Sequence, residues 1–231
     1  MNELPFSPAA DRNKQPILDL LLEVLPRHGS ALEIASGTGQ HVCWFAAAMP
    51  SWIWQPTDGE ITALPGIAAH VAQACLPNVR PPIHLDVMAQ SWTAAIDSRT
   101  QYDAIYCANL LHITPWATAA ALMRGASRHL AGDGILLTYG PYLENGIPTA
   151  PGNAAFDASL RVRNPAWGIR TVAAVAAEAE RAGLQLHAQH AMPANNLLLQ
   201  WQKKPVMLVL KPELKCPCRS VAIDFIAACA R

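Results

Sequence analysis

From residue 16 to about residue 204, short runs rich in apolar, β-branched and aromatic residues alternate with stretches whose apolar positions recur at helical spacing. That alternation marks strands joined by helical crossovers, and so an α/β chain built on a parallel sheet. The strand-like runs fall at 31–35, 52–57, 83–87, 102–108, 134–140, 184–192 and 197–202, seven in all. Ahead of them, Ile17, Leu18, Leu21, Leu22 and Leu25 repeat with helical period. Pro16 suits the first turn of that helix, and Gly29 ends the segment. Between the fourth and fifth runs, Thr114 is placed to cap a helix with Pro115 at its first position, and Arg128 and His129 fall near its end. Thr171 opens an Ala-rich helix that Gly183 closes. The last two runs are separated only by Pro193, Ala194, Asn195 and Asn196, too few residues for a crossover, so they must pair as an antiparallel hairpin.

The remaining bulk properties narrow the class. A chain of 231 residues with 52% apolar and 15% charged residues has enough material for one well-buried core. We expect one domain over 1–204, with a helix at its start and an insertion at 143–170, followed by an atypical tail over 205–231. The 17 basic and 17 acidic residues cancel, which disfavours binding along a nucleic-acid backbone. The start of the chain lacks a basic segment followed by an apolar run, and no stretch reaches ~18 unbroken apolar residues. A cytoplasmic protein without a membrane span is therefore expected. Cys43, Cys75 and Cys107 lie in apolar patterns and read as small buried hydrophobes. Cys216-Pro217-Cys218 lacks the two-residue spacer of zinc and redox pairs, so no metal is expected.

Chemistry concentrates at the ends of the first strands. Leu32-Glu33-Ile34-Ala35-Ser36-Gly37-Thr38-Gly39-Gln40-His41 runs from a strand into a helix. Gly37 and Gly39 permit a tight turn and close backbone approach to a ligand, and the helix start at Gln40 offers free N–H groups. A dinucleotide fingerprint needs a third glycine where this chain has Val42, which demotes nicotinamide and flavin binding. Asp58 follows Gly39 at about the ~20-residue interval at which a carboxylate reaches ribose hydroxyls. Asp86 is expected to end the third strand, where it can accept from an adenine amino group or cap the next segment.

These residues, with Asn109-Leu110-Leu111-His112 after the fourth strand, resemble the class I S-adenosylmethionine-dependent methyltransferases. Further segments narrow the likeness to one methyltransferase-like family without an assigned substrate. They are Phe6-Ser7-Pro8-Ala9-Ala10-Asp11-Arg12-Asn13-Lys14, Asn153-Ala154-Ala155-Phe156-Asp157, Pro165-Ala166-Trp167-Gly168-Ile169-Arg170 and Met192-Pro193-Ala194-Asn195-Asn196. The resemblance covers residues 6 to about 203. It implies a Rossmann-like fold with a seven-stranded, mostly parallel sheet and an antiparallel C-terminal hairpin, and it implies S-adenosylmethionine as cofactor. Carried over residue by residue, it gives Glu33, Ala35, Gly37, Gly39, Asp58, Asp86, Val87 and Asn109 to the cofactor. Two departures stand out: the tail at 205–231, and Thr171 where relatives commonly carry an acidic residue.

Methyl transfer from a sulfonium is an in-line displacement, so alignment and exclusion of water dominate, and a base is needed only when the nucleophile begins protonated. His112, with an ordinary pKa near 6.5, is the candidate base at the mouth of the fourth strand, with Tyr142 as a second catalytic candidate after the fifth. The long insertion reads as a loop-rich lid. Within it, Phe156, Leu160 and Trp167 are expected to anchor, leaving Asn153, Asp157 and Arg161 for the substrate. Asn195 is a further substrate candidate, although asparagine also suits turns. Arg12 and Asn13 are expected beside the cofactor, Arg12 against its carboxylate, or else at a solvated start. The leading expectation is methylation of a small molecule; the alternative is a non-catalytic methyltransferase-like binding module. The tail is open as an edge strand or a homodimer contact.

Overall fold

A computed structural model describes residues 4–92, 95–97 and 99–205. In chain order the elements are α1 (Pro8–Val24), β1 (Gly29–Ile34), α2 (Gln40–Ala48), β2 (Trp52–Asp58), α3 (Leu64–Ala74), β3 (Ile83–His84), β4 (Tyr102–Ala108), α4 (Ala117–His129), β5 (Leu130–Leu143), α5 (Pro151–Arg163), β6 (Arg170–Thr171), α6 (Val172–Arg181), β7 (Leu184–Met192) and β8 (Asn196–Lys203). The sheet runs β3-β2-β1-β4-β5-β8-β7, with the short β6 pairing the end of β5. Pairings from β3 through β5 are parallel. Both pairings of β8 are antiparallel, so the closing hairpin expected from the short linker is present.

The central strands bury both faces, which is why they read as nearly continuous apolar runs. On one face Ile17 and Leu21 of α1 and Phe45 of α2 pack on Trp52, Trp54 and Leu198. On the other, Leu122 of α4 and Val175 of α6 pack on Leu32, Ile105 and Trp201. Crossover helices α2 and α3 lie with α1 on one face and α4 and α6 on the other, because the winding reverses between β1 and β4. A crevice therefore opens outside their carboxyl ends. Among the described residues, no helix is long and apolar enough to cross a membrane.

Several local expectations are corrected. Helix α1 begins at Pro8 rather than Pro16: Ser7 caps it by accepting from the Ala10 amide at 3.3 Å, and Pro16 lies in its interior. An interior proline removes one helix bond, but α1 is held along its length against α2, with Gln40 Oε1 accepting from the Ser7 amide at 2.6 Å and Asn13 meeting His41 at 2.7 Å. Thr114 caps nothing; its hydroxyl donates to the Leu110 carbonyl at 2.9 Å, and α4 starts after Trp116. Strand β3 stops at His84, so Asp86 lies beyond it in a turn. An eighth strand, β6, precedes α6, and the insertion carries the thirteen-residue helix α5 rather than loop alone. Cys107 is buried as expected, Cys43 is half-buried, and Cys75 is exposed. Thr171 does cap α6, accepting from the Ala174 amide at 3.1 Å. The apolar tail and its three cysteines lie outside the described residues.

One buried side chain fixes the return from α2 into β2. Asn78 Nδ2 donates to the carbonyls of Ala46, Met49 and Trp52 at 3.0, 3.2 and 3.0 Å. Removing a buried donor strands its acceptors, so Asn78→Ala is expected to lower unfolding free energy by about 1–3 kcal/mol in urea titrations, without changing the fold by circular dichroism.

Candidate active site

The glycine loop is bound to the end of β2 from both directions. The Thr57 hydroxyl donates to the Glu33 carbonyl at 2.7 Å, and the Ser36 amide donates to the Thr57 carbonyl at 2.8 Å. Asp58 then accepts from the Gly37 amide on one oxygen at 2.8 Å and from the Glu60 amide on the other at 2.9 Å. Gly37 and Gly39 take φ of 60° and 82°, and so does Ala35, at 56°. A left-handed alanine is strained, and it sits at the carboxyl end of β1. Asn109, at φ 56°, turns the chain in the same way at the end of β4, in a conformation asparagine tolerates better. Gly39 does not face the ligand space. A Cβ there would come within 3.2 Å of the Ile67 backbone, so its part is to let α3 approach.

Between these turns lies a cavity of about 590 Å³. Glu33, Ala35, Gly37, Asp58, Asp86, Val87 and Asn109 all line it, and Ser7 and Ala10 of the N-terminal segment close one side. Its lining holds four carboxyl groups, from Glu33, Asp58, Glu60 and Asp86, and no lysine or arginine among the described residues. Glu33 is only 2% exposed, and one of its oxygens has no hydrogen-bond partner. Burial pushes its pKa up to about 8, the Asp58 charge adds to the rise, and a bond from Ser36 opposes it. His41 also faces this cavity. Burial brings its pKa down to about 4, so the neutral ring joins Asn13 of α1 to the Tyr106 hydroxyl of β4, 2.7 and 3.4 Å away.

A second cavity of about 700 Å³ adjoins the first through the shared residues Ser7, Asn109 and Ile113. His112, Tyr139, Pro141, Asn153 and Phe156 form much of its wall, together with Arg12 and Asn13. Arg12 and Asn13 thus stand in the second cavity and not in the first. His112 is 6% exposed and meets Phe156 edge-on at 5.5 Å. Burial, then the charges of Arg170 and Arg163, lower its pKa to about 4. Gly140 makes room for that ring, since a Cβ there would lie 3.4 Å from its Nδ1. The loop carrying His112 is pinned by Arg170, which donates to the carbonyls of Leu111 and Thr114 at 3.1 and 2.8 Å.

Other candidates fall elsewhere. Tyr142 points to the α4–α6 face of the sheet and borders a third, smaller cavity of about 280 Å³. Strand alternation puts Tyr139 and Pro141, not Tyr142, on the wall of the second cavity. Burial raises the Tyr142 phenol well above its ordinary value. Asp157 and Arg161 line none of these three cavities. They bond to each other at 2.8 Å, and Asp157 also accepts from the Ile169 amide at 2.6 Å, tying α5 to the strand that follows. Phe156 was expected to anchor the insertion, but at 37% exposure it faces the second cavity, while Leu160 is fully buried and Trp167 half-buried. Asn195 borders the third cavity, and its carbonyl accepts from Asn153 Nδ2 at 2.9 Å. Ser7, His41 and Tyr139 were missed. The Ser7-Pro8 pair was a legible cap signal, and counting alternate positions along β5 would have found Tyr139.

Sheet order, glycine loop and crevice together define the fold of class I methyltransferases. Solved structures with this fold include an O-methyltransferase family protein from Burkholderia thailandensis, at 18% identity and a TM-score of 0.68 over 84% of this chain and 57% of that one. The mitomycin 7-O-methyltransferase MmcR matches at 13% identity with a TM-score of 0.72, over 85% of this chain and 55% of that one. CalO1, a methyltransferase of calicheamicin biosynthesis solved in its SAH-bound form, matches at 14% identity with a TM-score of 0.64, over 85% and 55%. The chain therefore spans little more than half the length of the structures it matches. Residues 4–203 match the model of the DUF938 family, described as a protein of unknown function, and the chain belongs to that family.

The raised Glu33 pKa has a sign that can be measured. A carboxyl held at about 8 in the fold, against an ordinary 4.5, keeps its proton where the unfolded chain has lost it. Its contribution is fully present below the ordinary value and is lost as pH rises through the folded one. Glu33→Gln removes that dependence. The ligand-free melting temperature of the variant, relative to the parent, is expected to rise between about pH 5 and about pH 8; a constant difference would place the carboxyl in a more polar setting.

Proposed function

We propose that this chain is an S-adenosylmethionine-dependent methyltransferase acting on a small molecule. The observation that carries the reading is the pair of adjoining cavities at the switch point, one lined by carboxylates and the other carrying a neutral histidine. S-adenosylmethionine has a sulfonium, an ammonium and one carboxylate, so it is a net cation, and a lining with the Asp58, Glu60 and Asp86 carboxylates, the Glu33 carboxyl and no lysine or arginine among the described residues suits it. The unpartnered oxygen of Glu33 is a waiting acceptor for a cationic or N–H donor group. Its proton leaves when a positive charge settles nearby. Asp58 and Asp86 supply acceptors for the ribose hydroxyls and the adenine amino group. When bound, the cofactor supplies an electrophilic methyl group.

The remaining roles belong to the second cavity. Asn109 stands where the two cavities meet and aligns the acceptor. His112 accepts the proton of an acceptor hydroxyl, and its lowered pKa keeps it unprotonated throughout the neutral range. Phe156, Tyr139 and Ile113 exclude water from the reacting end. A compact acceptor fits this space, since ~300–1,000 Å³ is the ordinary range for small-molecule sites.

Calorimetry with S-adenosylhomocysteine is the direct test, with dissociation in the micromolar range or tighter expected; no heat, together with clear binding of a nicotinamide dinucleotide, would sink the reading. Asp58→Ala is expected to cost about 1.5–3 kcal/mol of that affinity, as for lost bonds to a charged group. Because Asp58 also holds the Gly37 and Glu60 amides, the variant should melt lower without ligand as well. With an acceptor drawn from a metabolite extract by labelled methyl transfer, His112→Asn should reduce kcat by about 10²–10⁴-fold and leave S-adenosylhomocysteine affinity unchanged. Activity of the parent should show no acid limb from His112 until pH falls toward about 4. Cofactor binding without transfer to anything in the extract would favour a binding module instead.

A further inference from the structure

The two cavities differ in charge. The first is lined by carboxylates alone among its charged groups, whereas no Asp or Glu lines the second, where the one formal charge is the Arg12 guanidinium. Among the described residues no carboxylate pairs with Arg12: its neighbour Asp11 is held by Lys14, and Asp157 is held by Arg161. Two further guanidiniums, Arg163 and Arg170, act on His112 from behind the wall. Arg12 is exposed at this wall, and the same lining carries the apolar or aromatic Phe156, Ile113, Pro141 and Tyr139 beside neutral polar groups that include the Asn13, Asn153 and Asn196 amides.

We infer that the second cavity selects a planar aromatic acid, its carboxylate against Arg12 and its ring between Phe156 and the Tyr139–Pro141 strand. This rests on the methyltransferase reading, which it deepens by naming the acceptor class. A guanidinium without an internal partner is a ready two-point site for a carboxylate, and a cation-free first cavity leaves the acid no competing site there. The ligand charge also relieves His112, because an anion beside it offsets the arginines that disfavour its protonated form. The acid therefore strengthens the base that serves it.

The test uses the full chain saturated with S-adenosylhomocysteine at low ionic strength, titrated with benzoate, para-hydroxybenzoate and naphthoate, each beside its neutral carboxamide. At least one acid should bind about tenfold or more tightly than its amide, as expected for a charge-assisted bond, and added salt should shrink the gap. Arg12→Gln should bring the acid to the level of the amide while S-adenosylhomocysteine binds as before. Acids that bind no better than amides, or do not bind, overturn the inference. So does an Arg12→Gln variant whose loss falls on S-adenosylhomocysteine, which would give Arg12 to the cofactor. Failure of the parent chain to bind S-adenosylhomocysteine at all is a different result, and it removes the methyltransferase reading underneath.

Discussion

The site depends on the bonding between the carboxyl ends of β1 and β2. Thr57 and Asp58 satisfy the backbone of residues 33–37 from one side of the loop, through the Glu33 carbonyl and the Ser36 and Gly37 amides. That network holds Ala35 in a left-handed conformation alanine would otherwise avoid. Strain at such a position persists only where its surroundings over-determine it. Asn109 makes the matching turn at the end of β4, across the reversal of the sheet. The two turns swing the chain away from the crevice and leave the space that becomes the first cavity.

The charge arrangement follows from which elements reach which side of that crevice. The ends of β1, β2 and β3 bring acidic residues to the first cavity, while α1, α5 and the β7–β8 turn bring neutral amides, the Phe156 ring and one arginine to the second. Buried ionisable groups here stay neutral rather than pair. Glu33 is protonated, and His41 and His112 are unprotonated, because burial penalises the charged form in each case. A cationic ligand on one side and an anionic one on the other would each complete an electrostatic half that the protein leaves open.

Helix α1 joins the two halves. Its first residues line both cavities, and its contacts to α2 run through Ser7, Asn13 and Gln15. Asn13 is the most consequential of these, since its carbonyl fixes the His41 ring that in turn meets Tyr106 in the sheet. A proline at the middle of such a helix is tolerable because tertiary contacts, and not the helix ladder alone, hold α1 in place.

Much of this was legible in the order of residues. Periodicity separated helices from strands, and the four-residue link before Asn196 forced an antiparallel hairpin. The Gly37-Thr38-Gly39 loop, Asp58 and Asn109 marked the first cavity, because strand ends in an α/β sheet converge on one edge whatever the side chains do. The second cavity was not legible in the same way. Asp157 and Arg161 looked free on the chain and are spent on each other, one helical turn apart, and on the Ile169 amide. Tyr142 looked placed for chemistry and faces the opposite side of the sheet from Tyr139, a difference fixed by strand register. Arg12 lines the second cavity and not the first, a placement that α1 decides by beginning eight residues earlier than its hydrophobic period announced. The sequence by itself determined the architecture and the strand ends that line the first cavity, since these follow from local pattern and topology. Only the tertiary structure decided which polar groups remain unpaired, because a side chain is free or spent according to neighbours distant in the chain.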